Sequence, residues 1–450
     1  MSIKIEDIFP YETPSAEQLR LLTALIKDYD HYDVFVIAAP VASGKMGIGR
    51  SILELAKLKG QLGNFVVPNN ALVSQVLEEF PGELSTIYTK RSYPTVDAFH
   101  EAKEVVMGSL SALNTYSLLA NKLYKDVLVA DECHTLLPIL RDIAQIRWWD
   151  KNNVFPHSPR TVAEAIAFLS PFTYEKQTTT MLNALDAPPS TYALWWTHEL
   201  RYNQDTKCLH YYSLTGRNVA TYLWPQHKTS KIFLMSATTQ LADLYELGLD
   251  DRRVKVYDME SAIPPDRRPL IVDPIGNMSV ASAKSNLSAL TEYIEDALEH
   301  KEGKGLIHAT YGISAMLKAT HLGSHPRLIF HTNKDKKGRF KQWQNTEDGV
   351  LVGCGMTEGI NLKNDMGRWQ LITKVLWPHL GHPVVIAKRW GENGENWYNW
   401  QAAKDVIQSY GRICRWPKDF GETRIVDSSF INLYNKHRGL FPNWFKEAVS

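Results

Sequence analysis

Two clusters of residues in this 450-residue chain could do chemistry on a phosphate. The first is Gly44-Lys45, at the end of the run Val34-Phe-Val-Ile-Ala-Ala-Pro-Val-Ala-Ser-Gly-Lys-Met46. An apolar stretch predicted as a buried strand feeds a turn of small residues, and Gly44-Lys45 opens a helix. Backbone N–H groups at a helix N-terminus carry partial positive charge toward an anion, and the lysine adds a full charge. Ala42, Ser43, Gly44, Lys45 and Met46 are therefore the candidate phosphate cradle. Ala39 or Pro40 takes the place of the usual first glycine, and Met46 that of the usual Ser/Thr. A small turn ending in Gly-Lys is also ordinary loop chemistry. The second cluster is Asp131-Glu132-Cys-His134, fed by the apolar Val127-Leu-Val-Ala. At a strand's C-terminal edge, Asp131 can hold Mg2+ through water and Glu132 can orient and deprotonate an attacking water, while His134 can couple them to neighbours.

Other candidates lie further along. Gln408, Arg412 and Arg415 are spaced four and three apart, which predicts one helical face. Arginine stays charged and grips phosphate oxygens in a planar fork, although a basic helix end is also simply favourable to the helix dipole. Gln18 follows Ser15 by three residues, a capping-box pattern; its amide could alternatively pair with both a donor and an acceptor on adenine. Phe65-Val-Val-Pro-Asn-Asn70 reads as a strand ending in polar residues, so Asn69 and Asn70 suit contacts to a nucleic-acid backbone or an ordinary strand–helix junction. Ser109–Leu119 is a strand or a helix start with Asn114 at its polar end. Lys231-Ile-Phe-Leu-Met-Ser-Ala-Thr238 is another buried strand, ending in Ser236 and Thr238, placed to link phosphate chemistry to a bound strand.

These residues need a frame, and the apolar runs provide one. Strands alternate with helical spacing twice, with a proline-rich break at Ile263–Pro269 between the two runs. That predicts an α/β fold of two doubly wound sheets. From about 138 to 228 the pattern changes to tryptophan pairs (148–149 and 195–196), arginines and prolines, which predicts a partly helical insertion. Those tryptophans could stack bases or form the insertion's own core. The net charge of +1 excludes a global basic field. The four cysteines have no metal-ligand spacing, and no apolar run is long enough to span a bilayer. The opening residues lack the apolar core of a signal peptide, so a reducing cytoplasm is expected.

In this order, FPYETPSAEQ, APVASGKM, LNTYSLLA, DECH, SAT, GMTEGINL, QSYGRICR and WPKDFGETRIVD resemble superfamily 2 helicases, and within them the XPD/DinG family. The resemblance covers nearly the whole chain outside about 138–228. It implies two tandem RecA-like domains (1–137 with 229–265, and 266–450) and a short arch-like insertion at 138–228. ATP would lie between the domains, and single-stranded or forked DNA would cross both, with 5′→3′ movement usual among relatives. By the same resemblance Lys45 and Gly44 bind phosphate, Gln18 contacts adenine, and Asp131 holds Mg2+. Glu132 activates water, and Gln408, Arg412 and Arg415 complete the site. Ser236 and Thr238 couple it to DNA, and Thr357, Glu358 and Gly359 lie between nucleotide and strand. Relatives commonly carry an iron–sulfur cluster on four cysteines ahead of the DExH box. This chain has no cysteine between Met46 and Ala130, so no such cluster is expected. DNA repair, replication or recombination in a bacterial or phage-infected cell, by a monomer, is the expected setting. A hydrolysis-deficient adaptor, suggested by Met46, and an RNA helicase are the alternatives.

Overall fold

The computed structural model describes residues 3–150, 157, 159, 161–201, 204–217, 229–238, 242–356, 362 and 364–450. In chain order the strands are β1 (Val34–Ala38), β2 (Gly63–Val67), β3 (Ser111–Asn114), β4 (Val127–Asp131), β5 (Ile146–Trp149), β6 (Tyr192–Arg201), β7 (Gln204–Ser213), β8 (Lys231–Ser236), β9 (Val254–Asp258), β10 (Leu270–Gly276), β11 (Gly305–Ala309), β12 (Leu328–Phe330), β13 (Val350–Cys354), β14 (Trp369–Ile372) and β15 (Glu422–Asp427). They form two six-stranded parallel sheets, ordered β3-β2-β4-β8-β1-β9 and β10-β15-β14-β11-β13-β12, and one antiparallel sheet ordered β5-β7-β6. The fold is α/β, with two RecA-like sheets in tandem.

The central strands read as near-continuous apolar runs because helices cover both faces of a parallel sheet. Every residue of β8, β11 and β13 is buried. Phe35 on β1 stacks on its neighbour Phe233 on β8, centroids 4.5 Å apart and rings 5° from parallel. β9 and β10, by contrast, were not legible as strands. Both are edge strands, and β10 contains Pro274, which is tolerated because its pairing with β15 is irregular between Val272 and Gly276 and residues 448–450 bond its outer side only at Leu270 and Val272.

The insertion is a small layer of its own, a three-stranded sheet together with the helical part expected. Its helices Val162–Leu169 and Lys176–Leu185 pack on one face of β5-β7-β6. Strand alternation settles the roles of the tryptophans. Trp148 and Trp196 both lie opposite Leu209 and meet edge-to-face in that core. Trp195 is on the other face, stacked on His210 and touching His382 ahead of helix Pro383–Arg389.

One sequence expectation fails here. Helix Gly394–Tyr410 stops at Tyr410, and Cys414 adopts φ 55°. Gln408, Arg412 and Arg415 therefore do not share a helical face. The arginines instead fold back to cap the helix: Arg412 Nε donates to the Gln408 carbonyl at 2.8 Å, and Arg415 Nη1 to the Gly411 carbonyl at 2.8 Å. Charged donors suit the last carbonyls of a helix, which lack internal partners.

Candidate functional site

Strand order explains why residues far apart in sequence meet. β1, β8 and β4 are adjacent and in register, with Ala38 beside Ser236 and Asp131 beside Met235. Their C-terminal ends bring loop 39–44, residues 131–134 and residues 236–238 to one edge. In open α/β sheets that edge is where ligands bind.

The loop is shaped to admit an anion. Gly44 has φ 73° and caps helix Lys45–Leu58. The left-handed backbone calls for glycine, and a Cβ there would lie 2.3 Å from Gln18 Nε2 and displace that amide. Gln18 serves two ends at once. Its Oε1 accepts from the Ser15 N–H at 2.9 Å, completing the capping box, and its Nε2 donates to the Ser43 carbonyl at 3.0 Å. Met46 packs against the apolar core beneath the first sheet. The hydroxyl available in this loop is Ser43 Oγ, buried and without a hydrogen-bond partner.

The acidic pair faces this loop. Lys45 Nζ is 3.8 Å from Glu132 Oε1, and Asp131 Oδ1 accepts the Glu132 N–H at 2.9 Å. Burial and the Glu132 charge push Asp131 up to about 6. Burial would raise Glu132 as well, but Lys45, His134, Arg412 and Arg415 outweigh it and hold that carboxylate below its ordinary range. A base for proton abstraction must be ionised at working pH, and Lys45, Arg412 and Arg415 keep Glu132 so.

From Glu132 a polar chain crosses to the second sheet. His134 Nδ1 is 3.4 Å from Glu132 Oε2 and 2.9 Å from Ser236 Oγ. Ser236 Oγ is 3.2 Å from Thr238 Oγ1, which accepts from Gln408 Nε2 at 3.1 Å. Gln408 Oε1 in turn accepts from Arg412 Nη2 at 2.9 Å. Apolar packing closes the same junction. Val41 joins the second sheet's core, and a Cβ on Gly411 would come within 2.5 Å of Val41 Cγ1.

Gln18, Ala42, Ser43, Gly44, Lys45, Asp131, Glu132, His134, Ser236, Thr238, Gln408, Arg412 and Arg415 are thus gathered at one place, and Met46 adjoins them. Asn69, Asn70 and Asn114 form a separate polar node at the ends of β2 and β3. Asn69 and Asn114 cap helices Asn70–Glu79 and Thr115–Asn121, and the Asn114 side-chain amide donates to Asn70. Thr357, Glu358 and Gly359 lie outside the described residues.

Sequence reading missed Asp419. Its carboxylate, fully buried, accepts from the backbone N–H groups of Arg415 and Asn364 at 3.1 Å and pairs with Arg368 Nη1 at 2.8 Å. Only its position four residues after Arg415 hinted at this. Asp419→Ala leaves those donors stranded, and is expected to cost about 3–5 kcal/mol in urea unfolding. A loss under about 1 kcal/mol, typical of an exposed pair, would contradict the clamp.

Comparison with known proteins agrees with this geometry. Residues 12–147 match the model described as type III restriction enzyme, res subunit, and residues 305–448 match the helicase C-terminal domain. Two XPD structures align over nearly the whole chain. One titled XPD_APO covers 94% of this chain and 99% of its own, with TM-score 0.64 and 14% identity; Xpd4 of S. tokodaii covers 97% and 99%, with TM-score 0.63 and 11% identity. The fold is that of an XPD-like superfamily 2 helicase. The regulator of telomere elongation helicase 1 homolog of Drosophila sechellia is 35% identical over 86 residues, a match spanning 17% of this chain and 9% of that relative. In this helicase fold the gathered residues occupy the edge between the two sheets. No described helix is long and apolar enough to cross a membrane.

Proposed function

We propose that the protein is an ATP-dependent DNA helicase or translocase acting on single-stranded or forked DNA in the 5′→3′ direction, in repair, replication or recombination. The observation that carries this reading is the unbroken polar path from Lys45 through Glu132, His134, Ser236, Thr238 and Gln408 to Arg412. A site that senses phosphate on one sheet and must move the other needs such a connection.

The residues fit a nucleotide and Mg2+. The loop offers a buried, unpartnered hydroxyl at Ser43 and a glycine where the backbone must be approached closely, and Glu132 Oε2 is likewise buried without a hydrogen bond. Lys45 and the backbone of 42–46 would hold the phosphates, with Gln18 beside the adenine and Glu358 and Gly359 toward the nucleotide. Asp131, with Ser43 in place of the missing hydroxyl at Met46, would hold the ion through water. Mg2+, when bound, neutralises phosphate charge. Glu132 takes the proton of the attacking water. Arg412 and Arg415 answer the charge that develops, and Gln408 positions Arg412. Asn69, Asn70, Asn114, His134, Ser236, Thr238 and Thr357 contact the strand or relay to it. The working lobes are 1–137 with 229–265, and 266–450, with 138–228 as the arch-like insertion. The protein acts as a monomer in the cytoplasm.

Forked duplexes carrying one single-stranded tail, at the 5′ or the 3′ end, test this with ATP present. Separation is expected only with the 5′ tail. Tight DNA binding with no strand-stimulated phosphate release supports an adaptor instead, and preference for a matched RNA strand supports an RNA helicase.

A further inference from the structure

The face of the insertion sheet turned away from its own core carries an unexplained group of ligand-type side chains. Glu199 on β6 and Cys208 and His210 on β7 bring a carboxylate oxygen, a sulfur and a ring nitrogen within 4.8 Å of one another. Cys208 and His210 are buried, while the Glu199 side chain remains 32% exposed and leaves a path from solvent. Residues two apart on a strand share a face. Cys208 and His210 therefore project side by side, and Glu199 joins them from the paired strand, where it lies opposite Thr206.

We propose that Glu199, Cys208 and His210 bind one Zn2+ ion, with water or an added ligand in the fourth position. Sulfur, imidazole and carboxylate together suit zinc, whereas Mg2+ and Ca2+ take oxygen donors. The imidazole is fixed in position on every side. Trp195 stacks on it at 4.9 Å and 8° from parallel, Gln145 hydrogen-bonds Nδ1 at 2.9 Å, and Nε2 faces both Glu199 Oε1 at 3.0 Å and the Thr197 hydroxyl at 2.7 Å, which itself donates to Glu199 Oε1 at 3.2 Å. Tetrahedral zinc with these donors spaces its ligand atoms by roughly 3.5 Å, so an opening of about half an ångström between Nε2 and the carboxylate, with the Thr197 hydroxyl turned off Nε2, admits the ion. The zinc-bound ring carries its proton on Nδ1. The Gln145 amide then turns over to accept it, releasing the exposed Arg147 that it now holds at 3.0 Å. An outer hydrogen bond of this kind fixes the tautomer of a ligating histidine. A hydrogen-bonded His–Glu pair alone does not call for a cysteine at the third corner. The ion would tie β6 to β7 on the sheet face where Trp195 meets His382.

The test is titration of the metal-stripped full chain with Zn2+ and, separately, Co2+. One equivalent is expected, with proton release as the thiol ionises and, for cobalt, a thiolate charge-transfer band. Cys208→Ser and His210→Gln are expected to weaken binding by more than the roughly 10–100-fold that losing an outer hydrogen bond costs. Cys354→Ser, on the distant β13, leaves it unchanged. Should Cys208→Ser fail to fold, by circular dichroism, the isosteric Glu199→Gln must weaken binding instead. Binding that ignores these substitutions, or a cobalt complex without the thiolate band, overturns the proposal.

Discussion

Glu132→Gln is expected to stop hydrolysis while leaving the nucleotide bound. The substitution keeps the size of the side chain and removes its capacity to take a proton. Loss of a positioned general base costs about 10²–10⁴-fold, and the rate of the chemical step in single-turnover phosphate release should fall in that range. Nucleotide affinity should rise rather than fall. In the present arrangement Lys45 Nζ lies 3.8 Å from the Glu132 carboxylate, so a triphosphate must compete for that ammonium and also approach a negative charge. Glutamine removes both obstacles. Equilibrium binding of a non-hydrolysable analogue reads the second effect independently of the first. A variant that hydrolyses at the wild-type rate would remove Glu132 from the chemistry. Equal loss of binding and hydrolysis would instead mean that the carboxylate only supports the loop.

The parts of this site legible in the sequence are those whose chemistry is carried by neighbours in the chain. The phosphate loop, the acidic pair and Ser236–Thr238 each follow a run buried on both faces, so the strand and what it delivers are read together. The edges were harder. β9, Val-Lys-Val-Tyr-Asp, is only partly buried, and β10 carries Asp273 and Pro274, so neither has the pattern of a central strand. The arginines failed for a different reason. Their spacing continued the helix of residues 394–410, but Gly411 and the left-handed Cys414 end it, and tertiary bonds to Asp419 set the conformation that follows. Local periodicity contains no information about Asp419. The same is true of the Gln408–Thr238 bond between residues 170 apart in sequence. In the insertion, composition alone left the tryptophans open between core and base stacking. Register resolved it by placing Trp148 and Trp196 inside and Trp195 outside.

Arg412→Ala is expected to remove about 10³-fold or more of the hydrolysis rate, the scale on which an arginine supplied to a phosphoryl-transfer site acts. The argument rests on position. Arg412 is buried, its field lowers the Glu132 pKa across the junction, and its guanidinium grips Gln408 at two points, Nε on the carbonyl and Nη2 on Oε1. Lysine offers one point charge and no fork, so Arg412→Lys should recover little. Because the same side chain anchors Gln408, the loss has two sources, and Thr238→Val separates them. Valine keeps the branched shape and removes the hydroxyl that receives Gln408 Nε2. With Arg412 still held by the Gln408 carbonyl, basal hydrolysis should stay within about fivefold, since one neutral hydrogen bond contributes only about 1 kcal/mol. Stimulation by single-stranded DNA should fall, because the link from Ser236 and His134 to the second sheet is cut. Phosphate release measured with and without DNA for wild type, Arg412→Ala and Thr238→Val reads both effects. If Thr238→Val keeps full stimulation, the polar path is only a structural contact. If Arg412→Ala keeps its basal rate, the charge it places beside Glu132 plays no part in turnover.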